Sequence, residues 1–153
     1  STYNAIIDLT STYVLIHDAA RPLVSSRAAR ECITKLRAGH ICVNTIFQPP
    51  ATMVALEQDK MIGTISKDRV ALGQCPQAFL RAELVKAHEL FLHHGRIFTD
   101  DCSIMLAAGL VDQIETVAGD SYGFKLTYPE DFSRLEGYLL IEKRISARSG
   151  HDK

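Results

Sequence analysis

The residues best suited to chemistry open a loop: His17-Asp18-Ala-Ala-Arg21-Pro22 follows the apolar run Tyr13-Val-Leu-Ile16 directly. If that run is a parallel strand, the loop stands at its carboxyl end, where ligands sit in open α/β sheets. There Asp18 could hold a divalent metal that bridges phosphates, and Arg21 could brace an anion. The alternative is that Asp18 caps a turn and Arg21 makes a surface ion pair; the residues alone leave both open. His88, His93 and His94 could suggest a metal site, yet they end an amphipathic stretch where polar or cationic groups suit a helix dipole. Asp100 and Asp101 could bind a cation, but a helix start prefers such residues anyway. Cys102, beside that start, could have a lowered pKa; with no His base or redox partner adjacent in sequence, cysteine catalysis is not expected.

The elements around these residues read as an α/β fold with a mainly parallel sheet, because apolar runs alternate with amphipathic stretches. Asn4–Leu9 looks like a helix end, followed by a strand over Tyr13–His17. A helix starts near Ser25 or Ser26, with Ala29, Cys32, Ile33 and Leu36 at helical spacing and Gly39 as its stop. A strand over Ile41–Phe47 follows, and Gln48-Pro-Pro-Ala51 interrupts it. Thr52–Leu56 and Met61–Ser66 flank Glu57-Gln-Asp-Lys60, a hairpin that can project from the main sheet as an arm. Gln77–His94 carries Leu80, Leu84, Ala87 and Phe91 on one helical stripe. Thr99 is read as the N-cap of a short helix through Ala108. Strands around Gln113–Ala118 and up to Thr127, separated by Gly119-Asp-Ser121, lead to a last helix with Pro129 in its first turn. Phe132, Leu135 and Leu139 would form its buried face, and Ser149–Lys153 would fray.

The 153 residues, 46% of them hydrophobic, suit a single domain and are too few for two ordinary ones. A net charge of −1 gives no bulk attraction to nucleic acid or an anionic membrane. No apolar run nears the roughly 20 residues that cross a bilayer, and no basic leader precedes one, so a soluble, unexported protein is expected. Cys32, Cys42, Cys75 and Cys102 are spread singly, which fits reduced thiols in a cytoplasm better than a zinc knuckle or a disulfide scaffold.

Four segments in order, Tyr13-Val-Leu-Ile-His-Asp-Ala-Ala-Arg-Pro-Leu-Val24, Gly73-Gln-Cys-Pro-Gln-Ala-Phe79, Thr99-Asp-Asp-Cys-Ser103 and Phe124-Lys-Leu-Thr-Tyr-Pro-Glu-Asp131, cover nearly the whole chain. Together they resemble the methylerythritol phosphate cytidylyltransferases. The resemblance implies a Rossmann-like nucleotidyltransferase fold in which the arm, residues 52–66, hooks onto a second subunit of a homodimer. It implies transfer of CMP from CTP to a small polyol phosphate, with Mg²⁺ as the bridging cation. Asp18 would lie by the metal and the substrate, and Lys125 would position the polyol phosphate. Thr99 would hydrogen-bond that substrate, Thr52 and Lys67 would reach its phosphate from the partner's arm, and Arg21 belongs to the same motif. Such chemistry joins two polyanions, so positioning and cationic stabilisation should dominate, and no side-chain nucleophile is needed.

Three departures bear on the acceptor pocket. Lys67 stands where the family usually has Arg, keeping charge but losing bidentate contact. Cys75 replaces the Thr of a Thr-Pro-Gln segment, a weaker donor, and Ala51 replaces an Asp before the arm threonine. Gly73-Gln with Asp101-Cys102 also resembles the ribitol phosphate cytidylyltransferases, whereas His17-Asp-Ala-Ala-Arg21 favours the methylerythritol group. Nothing in the chain matches the family's glycine-rich loop, whose N–H groups nest the CTP phosphates. The polypeptide alone is therefore expected to be catalytically incompetent, with a binding or dimerisation module as the alternative function.

Overall fold

The computed structural model describes residues 2–149, which leaves the expected fraying of residues 150–153 outside the described part. In order the elements are α1 (Thr2–Ile6), β1 (Tyr13–Ile16), α2 (Ser26–Arg37), β2 (Cys42–Phe47), β3 (Met53–Glu57), β4 (Lys60–Ile65), β5 (Leu72–Leu80), α3 (Arg81–Phe91), α4 (Asp101–Ala107), β6 (Ile114–Ala118) and α5 (Glu130–Ser149). Side chains alternate across a strand, and that alternation divides the core in two. Val43, Ala78 and Val117 meet Cys32 and Leu36 of α2 on one face of the sheet. Cys42 and Phe79, their sequence neighbours, meet Ile6, Val14, Leu84, Ala87, Ile104 and Met105 on the other, beneath α1, α3 and α4. Burying Phe79 completely contributes up to about 3 kcal/mol.

The main sheet has the order β1-β5-β2-β6. β2 pairs parallel with β6, and β5 runs antiparallel to both β1 and β2, so three of the four strands share one direction. The sequence pattern missed β5 and read its second half as helix, because Gln74-Cys75-Pro76-Gln77 looks like a loop. Pro76 is tolerated inside the sheet for a local reason. β1 ends at Ile16, opposite Gln77, and on the β2 side the register shifts between Val43 and Thr45, so Pro76 falls where no ladder bond needs its missing N–H. Thr45 Oγ1 donates to the Pro76 carbonyl at 2.6 Å. Helix α3 consequently starts at Arg81 rather than Gln77 and ends at Phe91.

Helix α2 forms as expected: Ser25 caps it through its Oγ, which accepts from Ala28 N at 3.2 Å, and Gly39 takes a φ of 105° just beyond its end. Other expectations need correction. The first helix spans Thr2–Ile6, short of Leu9. Asp100, not Thr99, caps α4: its Oδ1 accepts from Ser103 N at 2.8 Å, and Ser103 Oγ receives the Asp100 N–H at 3.3 Å. No strand forms between Ser121 and Thr127, because the N–H groups of Thr127 and Tyr128 turn to Asp131 Oδ2 at 2.8 and 2.9 Å. In α5, Phe132 and Leu139 are exposed instead of facing a core. That helix holds the 121–124 segment through Arg134, which lies 4.0 Å from the Phe124 ring centre and donates to Ser121 O at 3.0 Å.

β3 and β4 form a separate two-stranded sheet. Gln58 and Asp59 both have positive φ, the geometry of a two-residue hairpin turn between the paired Glu57 and Lys60. No described helix is long and apolar enough to cross a membrane.

Candidate active site

A cavity of about 440 Å³ opens at the carboxyl end of β1. Its wall includes Asp18, Arg21, Thr99 and Lys125, together with Cys75 and Gln77. Four residues singled out from widely separated motifs therefore share one space. Thr52 and Lys67 do not join them: both are exposed, Thr52 at the start of the arm and Lys67 just past its end, where Lys67 Nζ donates to Pro50 O at 3.2 Å.

Three cross-links explain how Lys125 reaches Asp18. Arg21 Nη1 donates to Gly123 O at 2.7 Å, Leu126 N donates to Ala20 O at 2.8 Å, and Lys125 Nζ meets Asp18 Oδ2 at 2.9 Å. Asp18 is further fixed by Ala20 N, which donates to its Oδ1 at 3.0 Å in an Asx turn. The Lys125 ammonium and then the Ala20 N–H hold the Asp18 carboxyl below its ordinary value. His17 Nε2 donates to Arg21 O at 2.8 Å and closes the same loop. Arg21 is thus largely committed to holding two loops together, and its Nε is buried without a partner among the described residues.

A second strut sits beneath. Gln74 uses both ends of its amide on one backbone unit, Nε2 donating to Asp120 O at 3.0 Å and Oε1 accepting from Asp120 N at 3.1 Å. A Cβ on Gly119 or Gly123 would push the Gln74 amide off Asp120, so glycine at both positions preserves this strut. Arg27 of α2 binds Asp120 Oδ1 and Ala118 O, each at 3.0 Å. The segment that delivers Lys125 is therefore tied to α2, β5 and the β1 loop at once.

The opposite wall belongs to the start of α4. Asp101 is buried and fully engaged, with Oδ2 accepting from Thr2 Oγ1 and Oδ1 bonded to His88 Nε2, both at 3.0 Å. His88 is thereby a structural partner, and no group of three or more His, Cys, Asp or Glu able to hold a metal occurs among the described residues. Cys42 and Cys102 lie with their sulfurs 3.6 Å apart in the core. The neighbouring Cys42 thiol and burial push the Cys102 thiol far up, the reverse of an activated nucleophile.

The sequence reading overlooked Gln74, Gln77 and the capping function of Asp100. For the two glutamines the signal was present as polar residues breaking an otherwise apolar strand, Leu72–Leu80, since a glutamine inside a sheet has to be hydrogen-bonded to something specific; for Asp100 it was the Asp100-Asp-Cys-Ser103 spacing of a capping pair.

The sequence profile described as "IspD: 2-C-methyl-D-erythritol 4-phosphate cytidylyltransferase" matches residues 1–140. The chain belongs to that family. The chain is 31% identical over 147 residues to the 2-C-methyl-D-erythritol 4-phosphate cytidylyltransferase of Bacillus thuringiensis (strain Al Hakam), covering 94% of this chain and 63% of that relative. Among solved structures it is similar to 4-diphosphocytidyl-2C-methyl-D-erythritol synthase from Anaerococcus prevotii, with a TM-score of 0.83 and 27% identity, over 92% of this chain and 63% of that one. The 2-C-methyl-D-erythritol 4-phosphate cytidylyltransferase of Thermus thermophilus superposes with a TM-score of 0.80 at 26% identity, over 91% of this chain and 67% of that one. The family fold is a Rossmann-like nucleotidyltransferase, in agreement with the layered sheet.

Proposed function

We propose that the protein transfers CMP from CTP to 2-C-methyl-D-erythritol 4-phosphate, releasing pyrophosphate. The observation that carries this reading is the meeting of Asp18 and Lys125 in one cavity, in a chain of this family. An oxygen of the polyol phosphate attacks the α-phosphorus of CTP; a P–O bond forms there, and the bond to the β-phosphate breaks. Lys125 supplies a point charge for the acceptor phosphate, and Thr99 a hydroxyl at the rim. Arg21 keeps the two loops in register while anionic groups crowd between them.

Asp18 is the residue here that would hold Mg²⁺. Its carboxylate lines the cavity, and one or two carboxylates beside substrate phosphates are the usual protein share of an Mg²⁺ site. When bound, the ion neutralises charge on the leaving pyrophosphate. Cys75, half-buried in the wall, offers a weaker donor than a threonine hydroxyl, so the acceptor contact there is looser than the family pattern.

The arm completes the site in a homodimer. Its apolar residues Val54, Leu56, Met61, Ile62 and Ile65 are all exposed, and an isolated two-stranded hairpin is marginal in water. Seated on a second copy, it would bring Thr52 and Lys67 to that copy's acceptor phosphate. Four free thiols support a cytoplasmic setting. The deciding assay measures pyrophosphate release from CTP by the whole gene product, with 2-C-methyl-D-erythritol 4-phosphate and with ribitol 5-phosphate. Turnover with the first is expected. Turnover with the second alone would move the assignment to ribitol phosphate, and turnover with neither, beside a working control enzyme, would sink the reading.

A further inference from the structure

Two glutamines three residues apart on β5 are treated differently by the fold. Gln74 has both ends of its amide engaged by Asp120. Gln77 does not. It is only 4% exposed and lies in the wall of the cavity. Its Nε2 has two hydrogens, and both are used: one goes to Asn44 Oδ1 at 3.1 Å, the other to Asp100 Oδ2 at 2.9 Å.

Asp100 fixes which way the amide faces. A carboxylate only accepts, so turning the amide over would set two acceptors against each other. Asp100 cannot move aside either, since its Oδ1 caps α4 on Ser103 N at 2.8 Å. What is left over is Gln77 Oε1. It accepts from no donor among the described residues, and it is not one of the side-chain oxygens sealed from solvent. An amide carbonyl that opens on a cavity with no protein donor takes its hydrogen from whatever fills that cavity, water in the empty site and a ligand hydroxyl in the occupied one.

We propose that Gln77 is a specificity-determining residue whose locked Oε1 accepts a hydrogen bond from a hydroxyl of the polyol phosphate. The proposal rests on the transfer reaction given above. The phosphate end of that substrate offers no hydrogen at neutral pH and would be repelled by a carbonyl oxygen, whereas a polyol hydroxyl matches it. Lys125 would hold the charged end and Gln77 would read the neutral end. A site built to bond a hydroxyl rejects the analogue lacking it far more strongly than an apolar pocket rejects a missing methylene.

The test uses the whole gene product, with 2-C-methyl-D-erythritol 4-phosphate and a set of analogues each lacking one hydroxyl. In the unaltered enzyme one analogue should lose about ten- to a hundredfold in kcat/KM relative to the parent. In Gln77→Met the parent should fall by a similar factor while that analogue falls no further, and the KM for CTP should stay unchanged. A purely structural role for Gln77 would lower the parent and every analogue alike and is excluded by this pattern. Should Gln77→Met fail to fold, Asp100→Asn gives equivalent information: its oxygen retains the cap, its nitrogen lets the Gln77 amide turn over to present Nε2, and an analogue with fluorine in place of that hydroxyl, which accepts but cannot donate, should regain turnover that it lacks in the unaltered enzyme. Analogues all within twofold of the parent in the unaltered enzyme would overturn the proposal with no variant needed. A raised KM for CTP in Gln77→Met, with acceptor discrimination intact, would overturn it in favour of nucleotide recognition. Failure of the parent itself to turn over would sink the transfer reaction along with it, and is told apart from the other outcomes by that alone.

Discussion

The cavity wall and the arm are built on opposite terms. Charged and amide side chains of the wall are held by partners drawn from distant parts of the chain: Asp18 by Lys125, Arg21 by Gly123, Gln77 by Asn44 and Asp100, Asp101 by Thr2 and His88. The arm is held chiefly by its own hairpin ladder and by Lys67 on Pro50 O, and its apolar side chains face outward. The wall is preorganised within one copy of the chain, whereas the arm leaves its apolar side chains uncovered. The difference teaches that residues assigned to one site from sequence motifs can belong to two structural regimes, and that they respond to substitution differently.

The largest effect should come from the core that carries the wall. Phe79→Ala removes a fully buried ring between β1, α3 and α4 and should cost about 3–5 kcal/mol in denaturant unfolding. Leu56→Ala on the arm should stay within about 0.5 kcal/mol for the monomer. Equal losses at the two positions would erase the distinction.

Next comes Lys125→Ala, which should lower kcat/KM of the whole gene product by about 10²–10³, the scale of losing one preorganised electrostatic contact to the transition state. Its unfolding midpoint should stay close to the parent's, since the side chain is half exposed. Unchanged turnover would remove Lys125 from the reaction. On the proposed dimer, Lys67→Ala should cost about ten- to a hundredfold, the scale of losing one hydrogen bond to a charged group.

Much of this architecture was legible because local chemistry and tertiary structure agreed. Ser25 reads as a cap and is one, and Glu57-Gln-Asp-Lys60 reads as a tight hairpin and forms one. β5 was illegible because its meaning is tertiary. Pro76 argues against a central strand until one knows that β1 stops short of it and that β2 shifts register beside it. Lys125 was placed by a motif, but its meeting with Asp18 depends on Arg21, Gln74 and two glycines acting across the fold. No helical or strand periodicity encodes that. Thr99 shows the reverse error: a good capping residue sits one position early, and Asp100 takes the cap in a reciprocal pair with Ser103 while its other oxygen accepts from Gln77.

Mixing the two impaired variants sharpens the contrast between wall and arm. If each site takes its wall from one copy and its arm from another, a Lys125→Ala copy paired with a Lys67→Ala copy has one intact site. An equal mixture, allowed to exchange subunits, should recover about a quarter of parental turnover by random pairing in a two-fold dimer. Turnover no higher than the average of the two separate variants would mean that Thr52 and Lys67 do not serve a neighbour's site.

The smallest effect concerns the segment behind Lys125. Asp131 accepts from the Thr127 and Tyr128 N–H groups, and these bonds, Tyr128 first, hold its carboxyl below the ordinary value of 3.8. A carboxyl depressed on folding stabilises the folded state above its unfolded pKa, and that contribution disappears as pH falls through the lower, folded value. Asp131→Asn keeps an acceptor but removes the charge, so the variant should melt below the parent at pH 6 and the gap should close at pH values below 3.8. Both bonds lie at the surface, so the gap at pH 6 should be small and should shrink with added salt. A gap that persists unchanged into acid would mean that the two N–H bonds hold the Lys125 segment by geometry alone. The charge of Asp131 would then have no part in presenting Lys125 to the cavity.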